Sequence, residues 1–296
     1  MSVGPRAIAR RLERSARRVA NRTDPTWRYG VNVGPTVRWR RSPEPLDPDA
    51  AGVLAALDRD GIAVTDLASL LGPDGATALL EAADRARAEH ADRVAEARAR
   101  LAAPDDGTQK PFVVEVLGGA PPDPASPLGR FALDPAVLGI VHAYYGMHVR
   151  LRYQDVWHTF VTDRAPVQSQ LWHRDPEDRQ ILKVFVALDD VDAGAGPFHY
   201  APGTHAKGAV RRRPAATTRD GTTPRSDDAQ MAAVVPPERW VTATGPRGTV
   251  VFADTRGFHK GGHATDRERV LLVTQYLSRG AGRGGIDTGA PPPTRP

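Results

Sequence analysis

Branched apolar side chains occupy every second position between residues 182 and 188. Alternate side chains of a β-strand point to opposite faces of the sheet, so this period of two predicts a strand. One face is wholly apolar and consists of Leu182, Val184, Val186 and Leu188. The other face carries Lys183, Phe185 and Ala187. We expect the apolar face to pack against helices, which leaves Lys183 and Phe185 to line the interior of the β-structure.

A second strand is predicted from Arg269 to Tyr276, where Arg269 shares a face with Leu271, Val273 and Gln275. An arginine at the start of an apolar face is costly to bury unless an anionic group neutralises its charge. We therefore expect Arg269 either to reach the surface or to meet a carboxylate.

Helical patterns dominate the first half of the chain. Residues 49–57 are predicted to form one helix, and the composition from about Gly75 to Ala102 favours helix throughout. Residues 134–145 are predicted to form another, with Asp134 as the N-cap and Pro135 at the first helical position.

Strand patterns dominate the second half. Two short strands are predicted earlier, over residues 62–65 and 111–117, and from Val149 onward β-type runs follow one another closely. This order predicts a mainly β protein with a helical buttress, built on a double-stranded β-helix core of the jelly-roll, cupin-like type.

Changes in composition along the chain predict three parts. Residues 1–48 are expected to form a basic amphipathic helix followed by a proline-containing extended arm. Residues 49–278 are long enough for one large domain, which we expect to be a single unit. Residues 279–296 are rich in glycine, proline and arginine, which predicts a flexible tail.

Composition narrows the classes of function. The chain has no cysteine, so any metal must be held by nitrogen and oxygen ligands. No apolar run is long enough to span a bilayer and no signal peptide is recognisable, so we expect a soluble, cytoplasmic protein without membrane contact. The formal net charge is +5, with an arginine cluster between Arg6 and Arg22. Aromatic residues are not interleaved with that cluster, which makes nucleic acid an unlikely partner.

Two histidines and an aspartate carry the candidate chemistry. His173 and Asp175 are two residues apart, so in an extended segment both project to the same side, and His259 follows a later β-type run. Two imidazoles and one carboxylate are the ligands of the facial triad that binds non-haem Fe(II) and leaves sites open for a co-substrate and dioxygen. The spacing alone does not exclude zinc, manganese, nickel or cobalt.

An ordered set of motifs surrounds these residues, and with it the stretch from about Tyr153 to Tyr276 resembles the phytanoyl-CoA dioxygenase (PhyH-like) family of Fe(II)/2-oxoglutarate-dependent oxygenases. The matching positions are His173-x-Asp175, Leu188-x-Asp190-Val191, Gly196-Pro197, Pro202-Gly203-Thr204-His205, His259 and Arg269. The resemblance implies that His173, Asp175 and His259 bind iron and are the catalytic centre. It also implies an oxygenase that uses 2-oxoglutarate and dioxygen.

The same resemblance implies the residues that hold 2-oxoglutarate. Arg269 lies ten residues after His259 and is expected to bind the far carboxylate, with Arg267 as a rival. The family's glutamine on the strand before the H-x-D motif corresponds to Gln154, with His158 as an alternative residue of the pocket. Lys183 and Phe185 are expected to line the same cofactor pocket.

The resemblance implies hydroxylation of an aliphatic C–H, because related halogenases have a small residue in place of Asp175. The substrate is expected to be a small, possibly anionic metabolite or biosynthetic intermediate, over which Arg211–Arg213 of the insert (residues 207–244) could close. A cupin-like metal-dependent isomerase or hydrolase that does not use 2-oxoglutarate is the alternative, and a nucleic-acid-binding module is a third possibility. The substrate, the oxidised carbon and the oligomeric state stay open.

Overall fold

A large antiparallel sheet is covered by helices on one face and by a smaller sheet on the other in the computed structural model of the chain. The structure describes residues 23–102, 110–216, 218–220, 223–282 and 284–289. The predicted amphipathic helix over residues 8–19 lies outside these ranges. The predicted fold class is confirmed.

Helices occupy mainly the first half of the described chain. A π-helical turn, Thr26–Val31, comes first. The helices that follow are α1 (Val33–Arg41), α2 (Pro48–Asp60), α3 (Leu67–Glu89), α4 (Ala91–Ala102), α5 (Pro127–Ala132), α6 (Pro135–Tyr145) and α7 (Asp228–Ala232).

Strands follow one another closely in the second half. They are β1 (Ile62–Asp66), β2 (Val113–Glu115), β3 (Arg150–Thr159), β4 (Leu182–Ala187), β5 (Phe198–Tyr200), β6 (Thr218–Asp220), β7 (Thr223–Arg225), β8 (Val241–Ala243), β9 (Thr249–Asp254), β10 (His259–Gly261), β11 (Arg269–Leu277) and β12 (Ile286–Asp287). The large sheet has the order β1-β9-β4-β11-β3-β12, with β2 also paired to β3. The smaller sheet has the order β10-β5-β8, and β6 and β7 form a separate hairpin.

The alternation along β4 sorts its side chains between two cores. Leu182, Val184, Val186 and Leu188 are fully buried with residues of the helices, as predicted. Burial of each such side chain stabilises the fold by about 1.5–3 kcal/mol. Phe185 and Ala187 point the other way, into the space between the two sheets. In β11, Leu271 and Val273 point into the same space, so the face that begins with Arg269 is the interior face.

Helix α6 shows why the local predictions hold. Asp134 accepts a hydrogen bond from the backbone N–H of Ala136 at 2.9 Å, and Pro135 occupies the first helical position. The helix ends at Gly146, whose φ of 63° lies in the left-handed region that glycine adopts without a steric penalty.

The prediction of an uninterrupted helix up to Ala102 is wrong at His90, which separates α3 from α4. The His90 Nδ1 atom lies 2.9 Å from the carbonyl oxygen of Ala86. That oxygen is the one to which the His90 backbone N–H would donate in a continuous helix. The imidazole therefore competes with the backbone for the same acceptor.

The prediction of an extended arm over residues 23–48 is also wrong, because the π-helical turn and α1 occupy most of it. Pro35 lies in the first turn of α1, where its missing N–H costs nothing. Trp27 holds this region to the core: its side chain is fully buried, and its indole N–H donates to Asp178 at 2.9 Å.

The prediction of a flexible tail from residue 279 is wrong for its first part. Ile286 and Asp287 form β12, which pairs with Leu151 and Arg150 of β3. Residues 290–296 lie outside the described ranges. Among the described helices, none combines the length and the apolarity that a membrane crossing requires.

Candidate metal centre and its cavity

Backbone pairing fixes the positions of His173 and Asp175. His173 and His259 form an antiparallel bridge in which each backbone N–H donates to the other's carbonyl oxygen at 3.0 Å. Two residues later, the backbone N–H of Asp175 donates to the carbonyl oxygen of Thr255 at 2.9 Å. Because the segment is extended, His173 and Asp175 project to the same side, and the bridge brings the His259 side chain beside them.

The three side chains meet in a buried cluster. His173 Nε2 lies 3.7 Å from one carboxylate oxygen of Asp175, and His259 Nε2 lies 3.9 Å from the other. The imidazole ring centroids are 4.2 Å apart. All three ligand atoms lie within 4.8 Å of one another, so the structure brings together the residues that the sequence predicts as metal ligands.

Both imidazoles present the nitrogen that a metal needs. His173 Nδ1 lies 2.8 Å from the Leu171 carbonyl oxygen, and His259 Nδ1 lies 3.1 Å from that of Gly257. A carbonyl oxygen only accepts, so each Nδ1 carries the proton and each Nε2 keeps its lone pair. Burial lowers the pKa of His173 well below its usual range and that of His259 to about 4. Both rings are therefore neutral near pH 7.

A buried lysine accompanies the carboxylate. Lys183 Nζ lies 2.8 Å from Asp175 Oδ2, in an ion pair rather than an aligned hydrogen bond. Burial by itself would raise the pKa of Asp175, but the Lys183 ammonium, together with the two imidazoles once acid has protonated them, outweighs burial and lowers that pKa. The carboxylate is therefore ionised. Two neutral imidazoles and one carboxylate fit a divalent iron ion. The contacts of these side chains with Leu171, Gly257 and Lys183 orient them, as the outer partners of metal ligands do.

Arg269 is buried on the interior face, where little neutralises its positive charge. Its side chain donates to the carbonyl oxygen of Gly196, its Nε has no hydrogen-bond partner, and no carboxylate of the described residues forms an ion pair with it. Burial lowers the pKa of Arg269 to about 10, so the guanidinium stays charged near pH 7. Of the two outcomes expected for this arginine, surface exposure is excluded, and no carboxylate among the described residues pairs with it.

The rival Arg267 lies outside the cavity. Its side chain is 57% exposed and pairs with Asp192 at 3.2 Å.

A cavity of about 240 Å³ connects the three-residue cluster with Arg269. A Cβ on Gly261, two residues after His259, would lie 3.6 Å from Arg269 Nη2. The Arg269 side chain therefore reaches the strand that begins with His259. Phe185 lines the cavity and packs against Phe198, with ring centroids 4.9 Å apart.

Gln154, which was predicted to contact 2-oxoglutarate, does not line the cavity. Its amide donates to the Leu128 carbonyl oxygen at 2.9 Å and to the Thr274 hydroxyl at 3.2 Å, on the helix-covered face of the large sheet. Neighbouring strand residues face opposite sides, so the cavity is reached by Trp157 and not by Gln154. His158 shares the face of Gln154 and lies 2.6 Å from Glu268, outside the cavity.

Two cations of the cavity wall were not singled out from the sequence. Lys110 precedes β2, and Arg225 is a buried residue of β7 within the insert. Arg211–Arg213, which were expected to close over the substrate, are exposed and do not line the cavity. No sequence signal separates Arg225 from the other arginines of the insert, because its role depends on how the β6–β7 hairpin folds over the core.

Glu115 and Glu177 also line the cavity. Burial raises the pKa of Glu177. The cavity wall therefore contains both basic and acidic side chains.

Among the models of known protein families, one matches this chain. The family model described as phytanoyl-CoA dioxygenase (PhyH) matches residues 57–270. No curated protein matches the chain.

Several solved structures are similar to the chain at 20% identity. The non-haem α-ketoglutarate-dependent carbocyclase SnoK from nogalamycin biosynthesis has a TM-score of 0.50, with 79% of this chain and 85% of SnoK covered. AviO1 from Streptomyces viridochromogenes Tue57 also has a TM-score of 0.50, with 81% and 100% covered. EctD from S. alaskensis, solved with 2-oxoglutarate and 5-hydroxyectoine, has a TM-score of 0.48, with 81% and 78% covered. The likenesses to SnoK and AviO1 show a shared fold.

Proposed function

The chain belongs to the phytanoyl-CoA dioxygenase (PhyH) family, and from this premise we propose that it oxidises an aliphatic C–H of a small, anionic metabolite or biosynthetic intermediate. The cofactor is Fe(II), and the co-substrates are 2-oxoglutarate and dioxygen. One observation carries the proposal: a buried two-histidine, one-carboxylate cluster lines the same cavity as a buried guanidinium that has no carboxylate partner among the described residues.

The iron would be held by His173 Nε2, His259 Nε2 and the Asp175 carboxylate. With dioxygen, iron and 2-oxoglutarate would supply an oxidant strong enough to break a C–H bond: one oxygen atom goes into succinate as 2-oxoglutarate loses carbon dioxide, and the other is used on the substrate. The backbone bridge between the two histidines keeps the three ligands on one face, which leaves the opposite positions for the co-substrates. Lys183 holds Asp175 in place, as an outer-shell partner does in other metal sites.

Arg269 would bind the distal carboxylate of 2-oxoglutarate. Its planar guanidinium matches a carboxylate with two parallel hydrogen bonds, and its burial makes the pairing stronger than it would be in water. Phe185 and Leu271 provide apolar walls beside it. These residues hold the diacid in one orientation and exclude water from the reacting centre.

The substrate would enter from the side of the cavity where Lys110 and Arg225 lie. The two cations favour an anionic group on the substrate, and Trp157 offers a flat apolar surface for its hydrocarbon part. Glu115 and Glu177 in the same wall select against a substrate with a high negative charge.

The reaction outcome needs direct identification. An aspartate at position 175 favours hydroxylation over halogenation, because no site is left for a halide on the iron. The carbocyclase named in the SnoK structure has the same fold, so a desaturated or cyclised product is a defined alternative to the alcohol.

The test is a metabolite screen read out by succinate release from purified enzyme with Fe(II), 2-oxoglutarate and dioxygen, followed by mass spectrometry of the product. We expect substrate-dependent succinate release that Asp175→Ala abolishes and that Asp163→Ala, at an exposed site, leaves unchanged. Turnover that continues without 2-oxoglutarate would instead support a metal-dependent isomerase or hydrolase. Full activity of Asp175→Ala would show that the ligands are misassigned.

A further inference from the structure

A second cluster of metal-ligating side chains lies on the helical side of the fold. Glu44 belongs to the segment between α1 and α2, His142 to the last turn of α6, and His148 to the connection from α6 to β3. One ligand atom from each lies within 4.8 Å of the other two. None of the three lines the cavity that contains His173.

The hydrogen bonds around His142 leave one proton unaccounted for. The Thr288 hydroxyl donates to the Val149 carbonyl oxygen at 2.8 Å, so its oxygen can only accept from His142 Nε2, which is also 2.8 Å away. Nε2 therefore carries the proton of a neutral ring, and Nδ1 carries a lone pair. That lone pair lies 2.9 Å from a carboxylate oxygen of Glu44. Two lone pairs at this distance repel, so a proton or a metal cation must lie between them.

A proton is the less favourable solution. The His142 side chain is 2% exposed, and taking an imidazolium out of water is costly. A neutral ring has only one N–H, and Thr288 already accepts from it. A metal cation between Nδ1 and Glu44 would leave the buried ring neutral.

His148 completes a ligand set. Its Nε2 lies 3.8 Å from the same Glu44 oxygen that faces His142. In a tetrahedral zinc site with bonds of about 2.0–2.1 Å, neighbouring ligand atoms are roughly 3.3 Å apart. The observed separations of 2.9 and 3.8 Å lie on either side of this value. His148 Nδ1 is buried without a hydrogen-bond partner, so no competing bond fixes the ring.

The surrounding bonds resemble an outer shell. The Trp39 indole N–H donates to the second oxygen of Glu44 at 2.8 Å. Thr288 accepts from the far side of the His142 ring, as second-shell residues of ligating histidines do. Each of these contacts directs one ligand atom towards the common point.

We propose that Glu44, His142 and His148 form a second metal site, separate from the oxygenase centre, that binds a zinc-type divalent cation with water as the fourth ligand. Two imidazoles and one carboxylate in a tetrahedral arrangement suit Zn²⁺. The site joins the segment before α2 to α6, and through Thr288 it joins the segment after β12. Its role is structural: the ion fastens both flanks of the chain to the helical layer. The proposal is independent of the proposed oxygenase activity.

The test uses the full chain with the oxygenase centre disabled by His173→Ala/His259→Ala. Zn²⁺ is titrated by calorimetry, and bound metal is measured by elemental analysis after dialysis. We expect one Zn²⁺ per chain and a higher melting temperature in its presence. Adding His148→Gln should weaken binding by more than about 100-fold, because loss of an outer-shell partner alone costs about 10–100-fold.

Two further variants make the outcome specific. Thr288→Val removes only the outer-shell acceptor and should weaken binding by about 10–100-fold. His90→Gln removes an imidazole bound to its own helix and should leave binding unchanged. With the oxygenase centre intact, His148→Gln should keep turnover with Fe(II) and 2-oxoglutarate, which separates this site from the catalytic one.

Absence of Zn²⁺ binding in the disabled chain would overturn the proposal, as would binding that His148→Gln does not change, which would indicate an adventitious ion only. If Zn²⁺ does not bind, nitrogen NMR shifts that show both nitrogens of His142 protonated would identify an imidazolium–carboxylate pair in place of the metal.

Discussion

Replacement of Arg269 by glutamine tests the cofactor site most directly. Glutamine keeps an amide that can still donate to Gly196, but it removes the positive charge. If the guanidinium binds the distal carboxylate of 2-oxoglutarate, the loss should appear in 2-oxoglutarate affinity first.

The structure sets the size of the effect. Truncating one member of a buried, hydrogen-bonded charge pair costs about 2–5 kcal/mol. One Arg269 donor is already used by Gly196, so we expect the lower half of that range. A loss of about 2–3 kcal/mol raises the KM for 2-oxoglutarate about 30- to 150-fold, at 1.4 kcal/mol per factor of ten.

Arg269→Gln should change the stability of the protein only when 2-oxoglutarate is present. Arg269 is a buried charge without a carboxylate partner among the described residues, so replacing it should not destabilise the protein in the absence of 2-oxoglutarate. Ligand at 100 times its Kd stabilises the wild-type protein by about 2.7 kcal/mol, whereas a 100-fold weaker Kd leaves about 0.4 kcal/mol. Arg269→Gln should therefore lose most of the rise in melting temperature that 2-oxoglutarate produces.

The assay combines succinate release with the visible charge-transfer band of anaerobic Fe(II) and 2-oxoglutarate. Arg267→Gln is the matched control, because Arg267 is exposed and pairs with Asp192. If Arg267→Gln weakens 2-oxoglutarate binding and Arg269→Gln does not, the assignment of the anchoring arginine is refuted.

The other predictions test the remaining assignments. Gln154→Ala should leave the KM for 2-oxoglutarate within about twofold of wild type but destabilise the fold by about 1–3 kcal/mol in urea unfolding, because the Leu128 carbonyl oxygen loses its donor; a large change in KM would contradict this. Lys183→Met should weaken anaerobic Fe(II) binding about 10–100-fold, since an outer-shell partner of the carboxylate is lost, and unchanged affinity would contradict its positioning role. Glu268→Gln should cost about 0.5–1 kcal/mol at pH 7, because Glu268 pairs with the partly exposed Arg98. The hydrogen bond from Arg98 lowers the pKa of Glu268 below 4.5, so this stabilisation is fully present above pH 4.5 and is lost as the pH falls through the folded-state pKa. Unfolding at pH 7 and near pH 3 should show the difference shrinking, and a difference that grows in acid would contradict the assignment.

Local sequence patterns determined much of this fold. The alternation from Leu182 to Leu188 predicted both the strand and its two faces, because a period of two leaves only one way to bury an apolar face. The Asp134 cap predicted where α6 begins, because a cap depends only on neighbouring residues. The spacing of His173 and Asp175 predicted a shared side, because both lie in one extended segment.

Where prediction from the sequence failed, the deciding contact was distant in the chain. Gln154 was placed on the wrong face because a one-residue change of register reverses every side chain of a strand, and β3 takes its register from β11. The region around Trp27 was read as an extended arm because its proline content was visible, while its contact with Asp178 was not.

The sequence by itself determined the identity of the candidate ligands and the type of sheet that presents them, since both follow from residue type and short-range periodicity. Only the tertiary structure decided which charges share a cavity. Arg225 joins it through a hairpin of the insert, and His142 meets Glu44 across 98 residues of chain. Such meetings depend on the packing of whole elements, and burial then gives each charge the low-dielectric surroundings in which its partner matters.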